Sequence, residues 1–478
     1  MKFPVKDSLT KAELQKGLRY VLKDGMCSQT LAVLTTGVFL VAFALKLGAS
    51  IELVGFIAAI PPLTQMLSFF AAYIVQKYKK RRVLCIISSF SSRIFWLFIA
   101  VIPFLFSIEL GLILFILTLF ILSCIAVISS TSWNTWMKDL VPEEQLGPFF
   151  AKRITLTLIV GLILTLVAGF FIDFWNKEFS LYPLYSYSIL FFIAFLAGML
   201  GIHFISKIPE PKMETEDQRP KFRELLSKPF QDANYKRVMI FLTLWNFAIN
   251  LASPFFAVVM IQQLHLDMSL ITILTVLSQT MNITFLGLLG RLSKYSNKSV
   301  LQFSSPIFLV CILLWVFTTA FQSIVLVMSL LILVHIFTGI STAGVTLAMG
   351  NITLRLAPKK DAAPYLATNT VFTSLAAGIA PIIGGFSFQL LFYQHWNFYF
   401  LMVFLIGLIS LFWLSKIKEA GEVTPRTFMH EFLLEIRRGV RNFSSAAGIH
   451  HMIHFPSFIY RYTIRKRQDE TNTEKIDD

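Results

Sequence analysis

Leu140-Val-Pro-Glu-Glu-Gln-Leu-Gly-Pro-Phe-Phe-Ala151 is answered, 216 residues later, by Leu356-Ala-Pro-Lys-Lys-Asp-Ala-Ala-Pro-Tyr-Leu-Ala367. Leu140, Pro142, Pro148 and Ala151 fall without gaps on Leu356, Pro358, Pro364 and Ala367, and Gly169 falls on Gly385. Earlier in each copy, Lys77-Tyr78 and Val83-Leu84 correspond to Lys294-Tyr295 and Val300-Leu301 at an offset of 217. The chain reads as a duplication in which a proline-marked polar connection recurs at the same place in both units.

What flanks those connections sets the class. Apolar stretches run over 25–46, 51–76, 83–106, 108–134, 149–174 and 184–206, then over 238–264, 269–291, 299–320, 323–350, 363–392 and 395–415. Each reaches about 18 residues or more, enough for a helix to cross a hydrocarbon layer of about 30 Å. Six spans per copy leave both copies in the same orientation, related by an axis along the membrane normal. The expected fold is an all-α membrane protein with twelve transmembrane helices in two pseudo-symmetric six-helix bundles. Its expected parts are an amphipathic N-terminal segment (1–24), a first bundle (25–206), a central cytoplasmic loop (207–236), a second bundle (237–416) and a C-terminal tail (417–478).

Charge gives the orientation. Of 42 Lys and Arg residues, 39 fall in the two tails and the alternate connections, leaving Lys46 and Lys177 opposite and Arg93 inside a span. Positive charge resists translocation, so both termini are expected in the cytoplasm, with the chain in a plasma (bacterial inner) membrane. The balance of 56% hydrophobic and 14% charged residues excludes a soluble domain of this length. The net charge of +15 sits beside span ends and points to anionic lipid headgroups, not to nucleic acid. Cys27, Cys85, Cys124 and Cys311 lie in or beside spans without metal-ligand spacing, so free thiols, no metal and no cofactor are expected. No P-loop, His-x4-Asp or His-Glu-x-x-His sequence occurs, which argues against direct ATP drive, an integral acyltransferase and a zinc hydrolase. A monomer is expected.

Outside the spans, Thr10 and Glu13 have the spacing of a capping box opening an amphipathic helix. Phe222, Leu225, Leu226 and Phe230 recur at helical spacing in the central loop. Met429, Leu433, Ile436, Val440 and Phe443 make one apolar face of a helix expected to lie on headgroups. His450, His451 and His454 read as part of a solvated tail.

Polar groups inside spans are costly unless they face other helices or a water-filled cavity, so they are the candidates for function. Arg93 lies about 15 Å into the third span at 1.5 Å per residue. Its guanidinium suits an anionic group on a cargo or Asp24, while a snorkelling or fixed structural role stays open. The neutral candidates for contacting a substrate are Trp133, Asn134, Asn246, Asn250, Gln279, Asn282, His335 and Asn369. His335 titrates in the physiological range when unperturbed, which makes it, with Asp24, a candidate for proton coupling.

Twelve spans in two parallel halves with a long central loop resemble the major facilitator superfamily over residues 20–416. Its loop motif after the second span, Gly-x-x-x-Asp-Arg/Lys-x-Gly-Arg/Lys-Arg/Lys, is matched by Ala72-Tyr-Ile-Val-Gln76-Lys77-Tyr-Lys79-Lys80-Arg81-Arg82, which keeps the basic end but lacks the glycines and the acid. The counterpart after the eighth span has Ser293 in place of the acid and keeps Lys294 and Lys298. The resemblance makes Lys77, Arg81, Arg82, Lys294 and Lys298 gating candidates. Gly378-Ile-Ala-Pro381-Ile-Ile-Gly384-Gly385 is similar to the family's glycine-proline antiporter motif, but it stands in the eleventh span instead of the fifth. Trp133-Asn-Thr-Trp136-Met-Lys-Asp139-Leu-Val-Pro142, Gly147-Pro-Phe-Phe-Ala-Lys-Arg153 and Asp24-Gly25 resemble one bacterial branch of the superfamily. Because spans one, four, seven and ten line the cavity in this family, the resemblance favours Trp133, Asn134, Asn246, Asn250 and His335. The implied function is a secondary active transporter or facilitator moving a small organic solute by alternating access, with proton coupling open. The alternative is a non-transporting scaffold or sensor that keeps the fold.

Overall fold

The computed structural model describes residues 5–6, 9–213, 229–318, 321, 323–358, 362–393 and 395–444. Among them are twelve helices long and apolar enough to cross a membrane, the number expected. They are α1 (Lys11–Lys46), α2 (Ile51–Tyr78), α3 (Arg81–Leu105), α4 (Ile108–Leu140), α5 (Glu143–Glu178) and α6 (Pro183–Ile205), then α7 (Ala233–Gln263), α8 (Met268–Leu292), α9 (Asn297–Trp315), α10 (Ile324–Leu356), α11 (Pro364–Leu391) and α12 (Trp396–Ser415). A thirteenth helix, α13, covers Pro425–Ser444. The central-loop pattern at Phe222–Leu226 and the histidines at 450–454 lie outside the described residues.

Local sequence explains where these helices begin and end. Thr10 and Glu13 form the expected capping box at the start of α1, each side chain accepting from the other's backbone N–H. Ser50 caps α2, Asp232 caps α7 through Asn234 and Tyr235, and Ser296 caps α9 through Ser299. The expected N-terminal segment does not end at residue 24, because α1 runs unbroken to Thr35. It then opens at Thr36, which is extended, and Gly37, whose φ of +60° suits glycine, before resuming as Gly37–Lys46.

The duplication is visible in the packing. In the first bundle α1 packs on α5 and α6, α3 on α4 and α6, and α2 on α4. In the second, α7 packs on α11 and α12, α9 on α10 and α12, and α8 on α10. Advancing every helix number by six converts one set into the other. The same step exchanges the two most extensive contacts between bundles, α2 on α11 and α5 on α8.

We call the end holding residues 79–81, 206–212, 293–296 and 416–424 the termini face, and the opposite end the far face. Contacts between the bundles concentrate toward the far face. There Gly37–Lys46 of α1 meets α7, and the early turns of α2 meet the late turns of α11. Gly385 permits this second approach, since a Cβ would sit 2.7 Å from Cα of Glu52. At the other interface Asp173 of α5 reaches across and caps α8, accepting from the backbone N–H of Met268 at 2.9 Å and of Ser269 at 2.7 Å. The N-terminus of α8, whose own cap residue Asp267 makes no side-chain bond, is thus closed by the other bundle.

At the termini face each bundle is tied to itself. A short parallel pair joins β1 (Val5–Lys6) to β2 (Glu210–Pro211). Glu210 accepts from the backbone N–H of Arg81 at 2.6 Å, at the start of α3. Burial pushes the Glu210 carboxyl above its usual range, and the backbone N–H groups of Arg82 and Arg81 pull it back. Arg81 pairs with Asp139 of α4, and Arg82 bonds the carbonyl of Ile208 at 3.0 Å. In the second bundle Glu419 plays the part of Glu210. It accepts from the backbone N–H of Lys298 at 2.6 Å, from Ser296 and from Asn297 at the start of α9, and it pairs with Arg355 of α10 at 3.3 Å. Lys298 turns to Glu422 at 2.7 Å.

The helix α13 lies differently from its expected setting. Phe428 and Phe432 are its buried stripe, packed on Phe303 of α9 at ring separations of 5.2 and 4.7 Å, while Met429 and Leu433 are exposed. A bond from Arg291 of α8 to Glu435 at 2.8 Å adds to the docking. The side chains of Val440 and Phe443 lie outside the described residues.

Candidate functional site

A cavity of about 420 Å³ opens within the first bundle, lined from all six of its helices, α6 only through Ile205. Its polar wall holds Asp24, Ser28, Arg93, Trp133, Asn134 and Arg153, and the broken turn at Thr35 and Thr36 lies further along it. Interrupted backbone at membrane depth is tolerated where it lines a cavity, as here. Its apolar wall includes Leu31, Leu40, Trp96, Leu119 and Leu122.

The charges of this wall are arranged around Asp24, which is buried. Ser28, one turn on, donates to Asp24 Oδ1 at 3.2 Å. Arg93 donates from Nη1 to the carbonyl of Gly198 at 2.6 Å and from Nη2 to Ser28 Oγ at 3.1 Å, with the same nitrogen 4.0 Å from Asp24 Oδ1. Only 11% of the Arg93 side chain is exposed, so it faces α1 and α6 instead of snorkelling along lipid. Arg153 lies with its guanidinium 4.5 Å from the centre of the Trp133 ring, a cation–π contact. Arg153 Nε and Trp133 Nε1 are both buried and have no hydrogen-bond partner among the described residues.

Arg153 is the residue the sequence reading left out, because it counted among the charges of a connection. The structure corrects this: α5 begins at Glu143, so Arg153 stands ten residues into a helix. A signal was present in the sequence. Thr157 and Gly161 follow Arg153 at steps of four and both are buried, so Arg153 sits on the inward stripe of α5.

The second bundle has a separate cavity of about 310 Å³ that includes Trp245, Asn246, Phe308, Thr342 and Thr346. Asn246 donates to the carbonyl of Leu242 and Asn250 to that of Asn246, both at 2.8 Å, so both amides bond back along α7. Of the sequence candidates, Asp24, Arg93, Trp133 and Asn134 come together in the first cavity and Asn246 in the second. Asn250, Gln279, Asn282, His335 and Asn369 line neither. His335 bonds through Nδ1 to the carbonyl of Leu331 at 2.7 Å, beside the Trp315 ring. Gln279 is exposed, and Asn369 Oδ1 is buried without a partner among the described residues. Lys77 and Lys294 are exposed, whereas Arg81, Arg82 and Lys298 belong to the ties within each bundle. Among the described residues no ion pair joins the two bundles, and no group of three metal-ligating side chains occurs. The four cysteines are free thiols, as expected.

Twelve spans and six-plus-six packing agree with one family, whose profile matches residues 25–341 and 247–460. The chain belongs to the Major Facilitator Superfamily. With membership comes the class of function: an integral membrane carrier that moves a small solute by alternating access. No curated protein sequence matches the chain. Among solved structures, a point mutant of the nucleoside transporter NupG aligns over 85% of this chain and 100% of its own, with TM-score 0.65 and 15% identity. A bacterial homolog of the human lysosomal transporter Spinster, inward-facing and unoccupied, covers 88% of this chain and 99% of its own at TM-score 0.62 and 11% identity. A D-xylose-proton symporter covers 86% and 98% at TM-score 0.61 and 14% identity. At these identities the likeness is one of fold.

Proposed function

We propose that this carrier works in a bacterial inner membrane with both termini cytoplasmic, as a monomer, and moves a small organic solute through the cavity bounded by Asp24, Arg93, Trp133 and Asn134. The observation that carries the reading is the uneven seam between the bundles. It is closed toward the far face by Gly385 against Glu52 and by Asp173 across the start of α8, while the first half of α1, with Asp24 and Ser28, faces the cavity. With the termini in the cytoplasm this is an inward-facing state, and rocking about the seam would expose the same wall to the other side.

Asp24 is the one carboxylate on the cavity wall, so any proton coupling is assigned to it and not to His335, which lines neither cavity. Arg426 and Arg437 of α13, with the basic residues of the connections, would meet anionic headgroups at the cytoplasmic surface. Asn246 supplies a neutral polar contact from the second bundle. Counterflow of a panel of labelled solutes into liposomes holding the purified chain tests the reading. Saturable exchange for one solute class is expected. Silence across the panel, with the protein correctly inserted, would favour a non-transporting scaffold that keeps the fold.

A further inference from the structure

The geometry points to an organic monocarboxylate as the ligand of the first-bundle cavity, with Arg153 and Trp133 as the pair that holds its carboxylate. Calling that anion the cargo rests on the transport reading above, but the binding site does not.

Two donors on the cavity wall lack acceptors. Arg153 Nε and Trp133 Nε1 are buried donors without a partner among the described residues, and they belong to side chains in direct contact, 4.5 Å apart. Of the nearby acceptors, Asp24 Oδ1 takes the Ser28 hydroxyl and Ser28 Oγ takes Arg93. Arg93 is tied by the carbonyl of Gly198 and by Ser28 beside Asp24, whereas Arg153 Nε has no such tie among the described residues. Buried donors without acceptors are unfavourable, and a carboxylate accepts on two oxygens at once.

Charge counting narrows the class. Two guanidiniums and one carboxylate leave a single positive charge on the cavity wall. A monoanion cancels it, a neutral solute leaves it, and a dianion such as a phosphate monoester overshoots. The seat of the guanidinium is shaped for Arg153, since a Cβ on Gly25 would stand 2.9 Å from its Nε. The wall with Leu40, Trp96, Leu119 and Leu122 offers apolar contact to the rest of the ligand.

The test uses the full chain purified in detergent, with benzoate and hexanoate as probes, benzamide and hexanamide as neutral isosteres, and inorganic phosphate as the multivalent anion. Thermal unfolding and tryptophan fluorescence report binding. At least one carboxylate should bind saturably, at least tenfold more tightly than its amide and than phosphate. Arg153→Gln and Trp133→Phe should each weaken it about tenfold or more, whereas Lys152→Gln, an exposed neighbour of like charge, should not. Trp133→Phe keeps an aromatic face for Arg153 while removing the N–H with the pyrrole part of the indole, so it remains informative if Arg153→Gln folds poorly. Equal binding of acid and amide, preference for phosphate, no saturable binding of either acid, or indifference to both Arg153→Gln and Trp133→Phe would overturn the inference. The transport reading fails separately. Carboxylate binding by a chain whose two faces never exchange access would sink transport and leave the site, and exchange of access without carboxylate preference would do the reverse.

Discussion

The two bundles share a scaffold and differ in their cavities. At the termini face both close the start of the third helix of the unit with a buried glutamate, Glu210 in one and Glu419 in the other, each accepting from the backbone N–H at 2.6 Å. The paired charge on the fourth helix has changed sign, Asp139 facing Arg81 in the first bundle and Arg355 facing Glu419 in the second. The ends of the helices have kept their ties by different means. The cavities have not kept their chemistry. The first has Asp24, Arg93 and Arg153, and the second has Trp245, Asn246, Thr342 and Thr346 without a charge. Duplication has preserved what holds each bundle together, while recognition has been concentrated in one of them.

Perturbations of decreasing size probe that difference. Asp24→Ala removes the only carboxylate between two guanidiniums, leaving buried charge uncompensated. It should cost about 3–5 kcal/mol in unfolding free energy measured in mixed micelles, and should abolish solute exchange. Retention of exchange would remove Asp24 from the working site. Glu210→Gln and Glu419→Gln should each cost about 1–3 kcal/mol, because buried N–H groups keep only a weaker, neutral acceptor. A near-equal loss sharpens the view of Glu210 and Glu419 as counterparts, and a loss at one alone breaks it. Asp173→Asn weakens the cap that crosses the seam, worth about 1 kcal/mol, and should raise the population with an open far face about fivefold. Site-directed labelling at the far end of α8 would read that shift. Asn246→Ala, whose amide bonds its own helix, should change stability by only about 0.6 kcal/mol. A cost as large as that of Asp24→Ala would show that the second cavity has an equal share of the chemistry.

Much of this scaffold is legible in the sequence because it rests on periodic or repeated features. The twelve apolar stretches, the 216-residue offset and the box at Thr10 and Glu13 each depend on spacing alone, and spacing survives translation into structure. Arg93 is equally plain, as a charge far from either end of an apolar run. Arg153 is not, because α5 extends six residues before the apolar stretch at 149–174, and a charge near a span end reads as a connection. The break at Thr36 and Gly37 hides for a related reason: two threonines and a glycine barely interrupt hydropathy, and only the backbone angles disclose it. In α13 the apolar residues are dense enough that two stripes compete. Phe428 and Phe432 prevail over Met429 and Leu433, one position or about 100° away, because two rings on α8 and α9, Phe285 and Phe303, are there to receive them. Pairing across the seam, as by Asp173 on α8, depends on which helices meet, which no local pattern contains.

The most direct test is a pair of electron spin distances in lipid, recorded on a chain freed of its four cysteines. One pair of labels would sit at Lys46 and His265 on the far face, the other at Lys79 and Tyr295 on the termini face. A carrier predicts two populations whose distances change in opposite senses at the two faces, with Asp173→Asn enriching the one that is longer at the far face. A single unchanging distance at both faces, in the native chain and in Asp173→Asn alike, would contradict it.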